Sequence, residues 1–494
     1  MKKTFALILA LALTLPLLAC GGGGSLPVET DPAETLICRT GETETKAPAG
    51  EHDATGFCAG FGRADITPTE SVPLAGYGAT EYRKSQNVLD PIYATCFALR
   101  DEAGETLLLY QLDLVGIPGA FGDQVKGMVE RAVNVPADHI LLNYTHTHSA
   151  PDVSSSNTAT AHWKTEAYKA ILQAAKDAVA DLDRCEKILT GATETENLNF
   201  VRRYYMENGF TSPHGTYGSG AINAHESEID EEMRILRLVR ANQPDLVIAN
   251  WQCHPNMTGG SKKYDVSSDL VGQFRRFTED ELGVKLLYLQ GGAGNVSYAT
   301  RLPGEPDPAK DYVEKGRLLS EALKGALPGL KEIPAGPIRA NKATFTATVN
   351  HADDGLVGIC QKISALTNGG KREEADALAV ENGLSSSFEA GSIIARASKG
   401  ATEDLELNCF AIGDICITAA PFETFCQIER DLRAKSPFAF TLSCGYSNDS
   451  RGYLPASECF PNKGYEVVQC RYVQGTAEEI AARELELLNE LHGN

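Results

Sequence analysis

The chain has 494 residues, with 45 lysine or arginine residues against 66 aspartate or glutamate residues, so its formal net charge at pH 7 is -21. Hydrophobic residues make up 43% of the chain and charged residues 22%, which are ordinary proportions for a globular protein with a buried core. These values exclude disorder, coiled coil and collagen as descriptions of the whole chain. The acidic excess also argues against nucleic acid as a partner, because phosphate binding needs clustered lysine and arginine.

Residues 1–20 have the pattern of a secretory leader. Lys2 and Lys3 precede an apolar run that is too short to span a bilayer comfortably. The run ends in Leu-Leu-Ala-Cys, which looks like a bacterial lipobox in which Cys20 is acylated; an ordinary signal peptide with a chance cysteine is the alternative. Residues 21–55 are rich in Gly, Pro, Thr and Glu, which is typical of a flexible tether. The sequence therefore predicts an exported bacterial lipoprotein, anchored to the membrane surface through lipid on Cys20.

From about residue 56, strand-like apolar runs alternate with helix-like segments. This pattern predicts an α/β fold, a mixed β-sheet with surrounding helices, in one large domain over residues 56–494. Residues 350–404 are richer in Gly, Ala, Ser and charge, and we expect a peripheral helical insertion there. The expected strands are Ile92–Leu99, Thr106–Val115, His139–Asn143, Arg234–Val239, Leu246–Trp251, Lys285–Leu289, Leu405–Ile412 and Ile415–Ala419. The expected helices are Gly122–Val133, Thr165–Asp181, Ser268–Leu282, Ala309–Leu327, Phe422–Ala434 and Ala477–Leu491.

The cysteines have irregular spacing. The chain has 13 of them, and no pair has the CxxC spacing that would indicate a cysteine zinc site. In an exported chain disulfides are an option, whereas cysteines inside apolar strands are at least as well explained as buried thiols. Neither the disulfide pattern nor the oligomeric state follows from the sequence.

Two histidine motifs follow predicted strands, where α/β proteins usually build their sites. Thr-His-Thr-His-Ser occupies residues 145–149, and in extended backbone His146 and His148 would point to the same side. His254, followed by a proline, ends another strand. Each motif alone also fits an ordinary structural histidine.

Two further motifs follow strands. Residues 291–294 form a glycine-rich loop that lacks the GxGxxG and P-loop patterns, so it does not indicate nucleotide binding. Glu423 follows Pro421 and is expected in the first turn of a helix, where glutamate is common for the helix dipole alone. Together the motifs supply two histidines and one glutamate from separate strand ends. Catalytic zinc typically takes three such nitrogen and oxygen ligands and keeps one position open.

These motifs together resemble the neutral/alkaline, non-lysosomal ceramidases, which are zinc amidases, and their shorter relatives with the catalytic domain alone. The resemblance covers most of residues 56–475. Two blocks depart from the family pattern, with Asn295 in place of Asp and Phe422 in place of Gly. The segments that carry the resemblance are Gly62–Pro68 with Gly76 and Tyr77, Thr145–Ser149, His254 and Pro255 with Ser267–Gly272, Gly294–Ser297, Pro421–Glu423 and Ser443–Leu454.

The resemblance implies zinc as the cofactor. It also implies His148 as a catalytic neighbour and Arg202 as an active-site arginine, with Arg203 as the alternative alignment. Ser297 matches a serine once proposed as nucleophile in the family. The implied metal ligands are His146, His254, Glu423 and Tyr453.

The activity implied is hydrolysis of the amide bond of an N-acyl lipid such as ceramide by a metal-activated water. Attack by Ser297 is the competing mechanism, although no base can be assigned to it from the sequence. The chain leaves no room for the family's immunoglobulin-like C-terminal domain, so we expect the catalytic domain alone. The alternatives are the same zinc chemistry on a different amide or ester, and a non-catalytic surface lipoprotein that binds a metal or ligand.

Overall fold

The computed structural model describes residues 54–77, 83–207, 211–213, 221–384 and 386–493. The predicted leader, the predicted acylation site at Cys20 and the predicted tether up to residue 53 lie outside the described residues. In the described part, the helices are α1 Gly119–Val133, α2 Thr158–Ala180, α3 Asp269–Leu282, α4 Tyr312–Ala326, α5 Val357–Asn368, α6 Arg372–Glu381, α7 Glu389–Ala397, α8 Cys426–Lys435, α9 Tyr465–Gln469 and α10 Thr476–Gly493.

The strands of the described residues are numbered in chain order. They are β1 Cys58–Asp65, β2 Asn87–Val88, β3 Tyr93–Arg100, β4 Thr106–Leu112, β5 Ile140–Tyr144, β6 Asp183–Glu194, β7 Phe200–Val201, β8 Arg203–Met206, β9 Thr211–Pro213, β10 Ile222–His225, β11 Glu232–Arg240, β12 Leu246–Trp251, β13 Asp265–Val266, β14 Lys285–Gln290, β15 Val296–Ser297, β16 Lys331–Ile333, β17 Ile338–Thr348, β18 Thr402–Ile412, β19 Ile415–Ala419, β20 Glu423–Thr424, β21 Phe440–Cys444 and β22 Tyr453–Leu454.

Two sheets stack face to face. The larger has nine strands in the order β14-β12-β11-β6-β1-β3-β4-β5, with β16 beside β6, and the smaller runs β17-β18-β19-β21. Both are mixed, because β4–β5, β12–β14 and β19–β21 are parallel pairs whereas β1–β3 and β11–β12 are antiparallel. An apolar layer that includes Leu109, Leu289, Ile417 and Leu442 fills the space between them. The mixed α/β fold predicted from the sequence is confirmed.

Helices cover the outer face of each sheet. Helices α1 and α2 pack on one half of the larger sheet and α3 and α4 on the other half, each over its own apolar cluster. Helix α10 packs on the smaller sheet through Leu487 and Leu488. Helices α5, α6 and α7 form a separate small cluster, so the helical insertion predicted over 350–404 is also confirmed. The result is four layers, helix–sheet–sheet–helix.

Two buried asparagines join the strand ends of the two sheets. Asn143, on β5, donates from Nδ2 to the Gly445 carbonyl at 2.9 Å. Asn250, on β12, donates to the Ser443 carbonyl at 2.8 Å and accepts from the Ser443 N–H at 3.1 Å. The carboxyl ends of β5 and β12 are thereby held beside the end of β21, at the edge where the histidine motifs emerge.

One predicted helix begins later than expected. The interval Phe422–Ala434 is helical only from Cys426, because the backbone before it pairs with another segment instead. The Glu423 N–H donates to the Gly452 carbonyl, and the Phe425 N–H donates to the Leu454 carbonyl. The prediction that Glu423 occupies the first turn of a helix is therefore wrong; it lies on β20, paired with β22.

Of the eleven cysteines in the described part of the chain, ten are buried, and no disulfide joins two of the eleven. Burial explains them as small apolar side chains of the core, the second of the two interpretations left open by their spacing. Among the helices of the described residues, none is both long and apolar enough to cross a bilayer.

Candidate metal centre

Strand ends from both sheets bring the predicted histidines and glutamate together. His146 follows β5, His254 follows β12, and Glu423 lies on β20 just after β19. The backbone turns at His146, which has a left-handed φ of 66°. The expectation that His146 and His148 share one side of extended backbone is therefore wrong, yet the two rings still face one another with centroids 5.0 Å apart.

Three electron-pair donors converge at one point. His146 Nε2 lies 3.2 Å from His254 Nε2, and Glu423 Oε2 lies 3.4 Å from each of them. The other ring nitrogens face carbonyl oxygens, since His254 Nδ1 is 2.7 Å from the Ala293 carbonyl and His146 Nδ1 is 2.5 Å from the Val115 carbonyl. A carbonyl only accepts, so we assign the proton of each neutral imidazole to Nδ1. Both Nε2 lone pairs then point at the carboxylate.

This arrangement fits a bound cation. The two imidazole lone pairs and the carboxylate oxygen are buried together and repel one another. Among the described residues, no group donates a hydrogen bond to Glu423 Oε2. Two imidazole nitrogens and one carboxylate oxygen form a donor set that zinc uses in catalytic sites. Ligands about 2.0–2.1 Å from one tetrahedral zinc ion lie roughly 3.3 Å from one another, close to the separations seen here.

His148 is the third histidine of the cluster. Its nearest ring nitrogen lies within 4.8 Å of those of His146 and His254, so the three histidines form a group able to hold a metal. In the described part of the chain neither ring nitrogen of His148 has a hydrogen-bond partner. Its backbone is held instead, because its N–H donates to Pro255 and its carbonyl accepts from Arg83.

Burial and nearby charge keep the imidazoles of His254 and His148 neutral. Burial, followed by the nearby charge of Arg202, lowers the pKa of His254 to about 3. Burial and the two neighbouring imidazoles likewise hold the pKa of His148 well below its usual range. Neutral imidazoles keep the lone pairs that a metal or a proton-transfer step requires.

The structure separates the two candidate arginines. Arg202 Nη2 donates to the Gly294 carbonyl at 2.9 Å and to the Tyr453 hydroxyl at 3.0 Å, on the side of the histidine cluster. Arg203 points away and binds Glu226 and Glu466. Because Glu466 also accepts from Arg202 Nε at 2.9 Å, one buried carboxylate positions both guanidinium groups. Of the two alignments, Arg202 is the one that lies beside the cluster.

The tyrosine segment places two phenols near the cluster. Tyr453, expected as a metal ligand, accepts a hydrogen bond from Arg202. Tyr446 was not singled out from the sequence, yet its ring centroid lies 4.6 Å from that of His146. Its buried hydroxyl has no partner among the described residues. Burial, followed by the charge of Glu423, raises the pKa of Tyr446. Its approach to His146 depends on tertiary packing, so residue type and spacing did not reveal it.

Ser297 lies on β15, beside the strand that leads to Arg202. Its Oγ accepts from the Ala299 N–H at 3.4 Å, and none of the described residues provides a hydrogen-bonded base for it.

The two departures from the family pattern, Asn295 and Phe422, have structural roles. Asn295 Oδ1 accepts from the Cys426 N–H at the start of α8, and Phe422 packs edge-on against Tyr472.

Comparisons with known proteins relate this fold to solved ceramidase structures. No protein-family model matches the chain, and no curated protein sequence matches it. The crystal structure of neutral ceramidase from Pseudomonas aeruginosa matches with a TM-score of 0.66, covering 89% of this chain and 75% of that chain at 19% identity. A ceramidase complexed with C2 matches with a TM-score of 0.66, covering 89% of this chain and 76% of that chain at 17% identity. The chain therefore has a neutral ceramidase-like fold, as the sequence motifs predicted.

Proposed function

We propose that this chain is a zinc-dependent amidohydrolase that cleaves the amide bond of an N-acyl lipid such as ceramide. The observation that carries the proposal is the convergence of His146 Nε2, His254 Nε2 and Glu423 Oε2, which lie 3.2–3.4 Å from one another. The likeness of the fold to ceramidases supports the choice of an amide substrate.

In this proposal His146, His254 and Glu423 hold the zinc ion. A phenol completes the set, either Tyr453, as the sequence resemblance implies, or Tyr446, whose hydroxyl is the one without a partner among the described residues. When bound, zinc supplies a Lewis acid that polarises a carbonyl and acidifies water. The residues around it then have to place the amide, stabilise charge and move one proton.

His148 is the candidate for proton transfer. A neutral imidazole carries a proton on one ring nitrogen and a lone pair on the other, and neither is engaged by the described residues. The lone pair accepts a proton as water adds to the amide carbon, and the imidazolium then protonates the leaving nitrogen as the C–N bond breaks. The products are a carboxylic acid and an amine.

Arg202 is the candidate for charge stabilisation. Burial acts to lower its pKa, but Tyr453 and Glu466 outweigh burial and raise the pKa, so the guanidinium stays charged. Its Nε and Nη2 are engaged by Glu466, Gly294 and Tyr453, whereas Nη1 has no hydrogen-bond partner among the described residues. That free N–H is available to the oxygen that becomes negative when the carbonyl is attacked.

Without a base beside it, Ser297 suits a substrate contact better than a nucleophile.

The test is hydrolysis by the metal-stripped and reloaded protein. We expect the zinc-loaded chain to release fatty acid from ceramide, a chelator to stop the release, and added zinc to restore it. Ser297→Ala should retain turnover under the same assay. A zinc-loaded protein that spares ceramide but cleaves another amide or an ester would contradict the N-acyl lipid assignment, and one that cleaves neither would contradict catalysis.

We also propose that Cys20 carries lipid and that residues 21–55 tether the catalytic domain to the membrane surface. Cys20→Ser is expected to move the protein from the membrane fraction to the soluble exported fraction, because the acyl chains provide the attachment. Labelled fatty acid should be incorporated into the parent protein and not into this variant. Cys38→Ser is the matched control, and equal labelling of all three proteins would contradict the assignment.

A further inference from the structure

A small cavity lies behind the candidate metal centre, between the smaller sheet and helices α8 and α10. Its volume is about 10 Å³, the space of about one water molecule. Two acidic side chains face it, Glu429 from α8 and Glu484 from α10, and both are only 5% exposed. The remaining walls are formed by Thr418, Ala420, Thr424, Ile428, Leu432, Cys444, Leu454 and Ile480.

The two carboxyl groups have little to neutralise them. Glu429 Oε2 is buried without a hydrogen-bond donor among the described residues. Arg433, on the same helix, is the cation that acts on Glu429, and it already binds Asp230 and the Ser443 hydroxyl. The other titratable groups that face the pair are the thiols of Cys444 and Cys409 and the carboxylate of Asp230, which supply no positive charge. Two ionised carboxylates in such a cavity repel one another, so the pair favours bound protons.

Burial raises the pKa of both carboxyl groups. Burial raises the pKa of Glu429 to about 7, against the opposing effects of Arg433, of the Ser443 hydroxyl and of the Gly292 N–H. Burial, followed by the charge of Glu429, raises the pKa of Glu484 to about 8.

Glu429 also contacts the loop that orients a metal-binding histidine. The Gly292 N–H faces its carboxyl group. The two groups pack so closely that a Cβ on Gly292 would lie 3.0 Å from the Glu429 Cδ. The next residue, Ala293, supplies the carbonyl that receives the Nδ1 proton of His254 at 2.7 Å. One residue further, the Gly294 carbonyl accepts from Arg202.

We propose that Glu429 is a positioning residue for His254: as a neutral acid that shares the cavity with Glu484, it holds the Gly292 loop so that the Ala293 carbonyl fixes the ring of His254. The inference rests on the proposed function, because it takes His254 to bind the metal. Partners that orient a metal-binding imidazole commonly change metal affinity by about 10–100-fold when they are removed.

Stability of the metal-free protein gives the first readout. An ordinary glutamate has a pKa of 4.5, and here the folded pKa values are higher. The unfolded chain therefore releases protons that the folded chain keeps, so stability falls as pH rises from about 4.5 to about 8 and is level above that. Glu484→Gln and Glu429→Gln should each flatten this slope and raise the Tm at pH 8 relative to the parent, with little change near pH 4.5.

Metal affinity gives the second readout. By competition with a chelator at pH 7, Glu429→Ala and Glu429→Asp should each bind zinc at least about tenfold more weakly than the parent, because neither side chain reaches Gly292. Glu429→Gln keeps the length and the neutral acceptor, so it should restore the parent affinity. Leu432→Ala is the matched control, because it enlarges the same cavity from the same helix without touching the loop, and should lower the Tm while leaving zinc affinity unchanged.

The outcomes separate the inference from the proposed function. A parent protein that binds no zinc contradicts the proposed function, whereas parent affinity in both Glu429→Ala and Glu429→Asp contradicts only the positioning role. If Glu429→Gln lost as much zinc affinity as Glu429→Asp, the ionised carboxylate of Glu429 would be needed. That result would overturn the proposal that Glu429 acts as a neutral acid. If Ca²⁺ raised the Tm of the parent and Glu484→Gln abolished that rise, a cation would occupy the cavity. That result would also overturn the proposal that Glu429 is a neutral acid.

Discussion

Glu423→Gln is expected to abolish metal binding and amide hydrolysis together. The substitution keeps the size of the side chain but replaces the oxygen that lies 3.4 Å from both imidazole nitrogens with a neutral amide group. The site then loses its one negative ligand among the three converging donors. We expect kcat/KM to fall by at least about 1,000-fold, which corresponds to about 4 kcal/mol of transition-state stabilisation.

Metal content and activity should be measured on the same preparations. Elemental analysis should find zinc in the parent and almost none in Glu423→Gln, with circular dichroism showing that both are folded. Glu186→Gln is the matched control, because Glu186 is an exposed carboxylate on β6 whose replacement should change neither quantity. Full zinc content in Glu423→Gln would show that the ligand assignment is wrong.

Gly294→Ala should disrupt the centre without altering any proposed ligand. A Cβ at this position would lie 2.2 Å from the backbone oxygen of Glu423 and 3.1 Å from that of Thr424. The clash is with backbone, so a side-chain rotation cannot relieve it, and β20 and the glycine loop must separate. Gly294 also donates to the Thr424 carbonyl and accepts from Arg202. The shift therefore moves the carboxylate and the guanidinium relative to one another.

A displacement of about 1 Å at reacting groups can cost on the order of 100-fold in rate, and we expect at least that loss in Gly294→Ala. Overpacking should also lower the free energy of unfolding by about 1–3 kcal/mol, measured by urea denaturation. Gly325→Ala, on α4, is the control, because a Cβ there meets no atom within 4 Å. It should leave activity unchanged and stabilise the helix slightly. Equal activity of both variants would contradict the tight approach.

The sequence pattern predicted the bounds of a strand best where every residue of that strand is buried. Leu246–Trp251 and Ile415–Ala419 have the bounds expected from their apolar runs, and every residue of both is buried. Helix α2 begins at Thr158, earlier than predicted, because Asn157 caps it by accepting from the Ala159 N–H. Strand β6 was not predicted, because the exposed and charged residues along Asp183–Glu194 interrupt the apolar pattern by which a strand is recognised.

The sequence predicted which residue types converge at the candidate site, but only part of their geometry. The His-Thr-His block and His254 follow strands, so their approach to one edge could be inferred from the order of elements. The position of Glu423 could not, because it depends on pairing with β22, which lies about thirty residues further along the chain. Tyr446 and the Glu429–Glu484 pair are visible only once the two sheets and α10 have packed.

The sequence by itself determined the α/β pattern and the chemistry of the donors, because both depend on residue type and short-range spacing. Tertiary structure decided which donors meet. His146 and His254 follow two strands of the larger sheet, β5 and β12, whereas Glu423 lies on β20, just after β19 of the smaller sheet. The buried asparagines Asn143 and Asn250 join the strand ends of the two sheets. Such long-range contacts arise from burial of apolar surface between the sheets, and no local period encodes them.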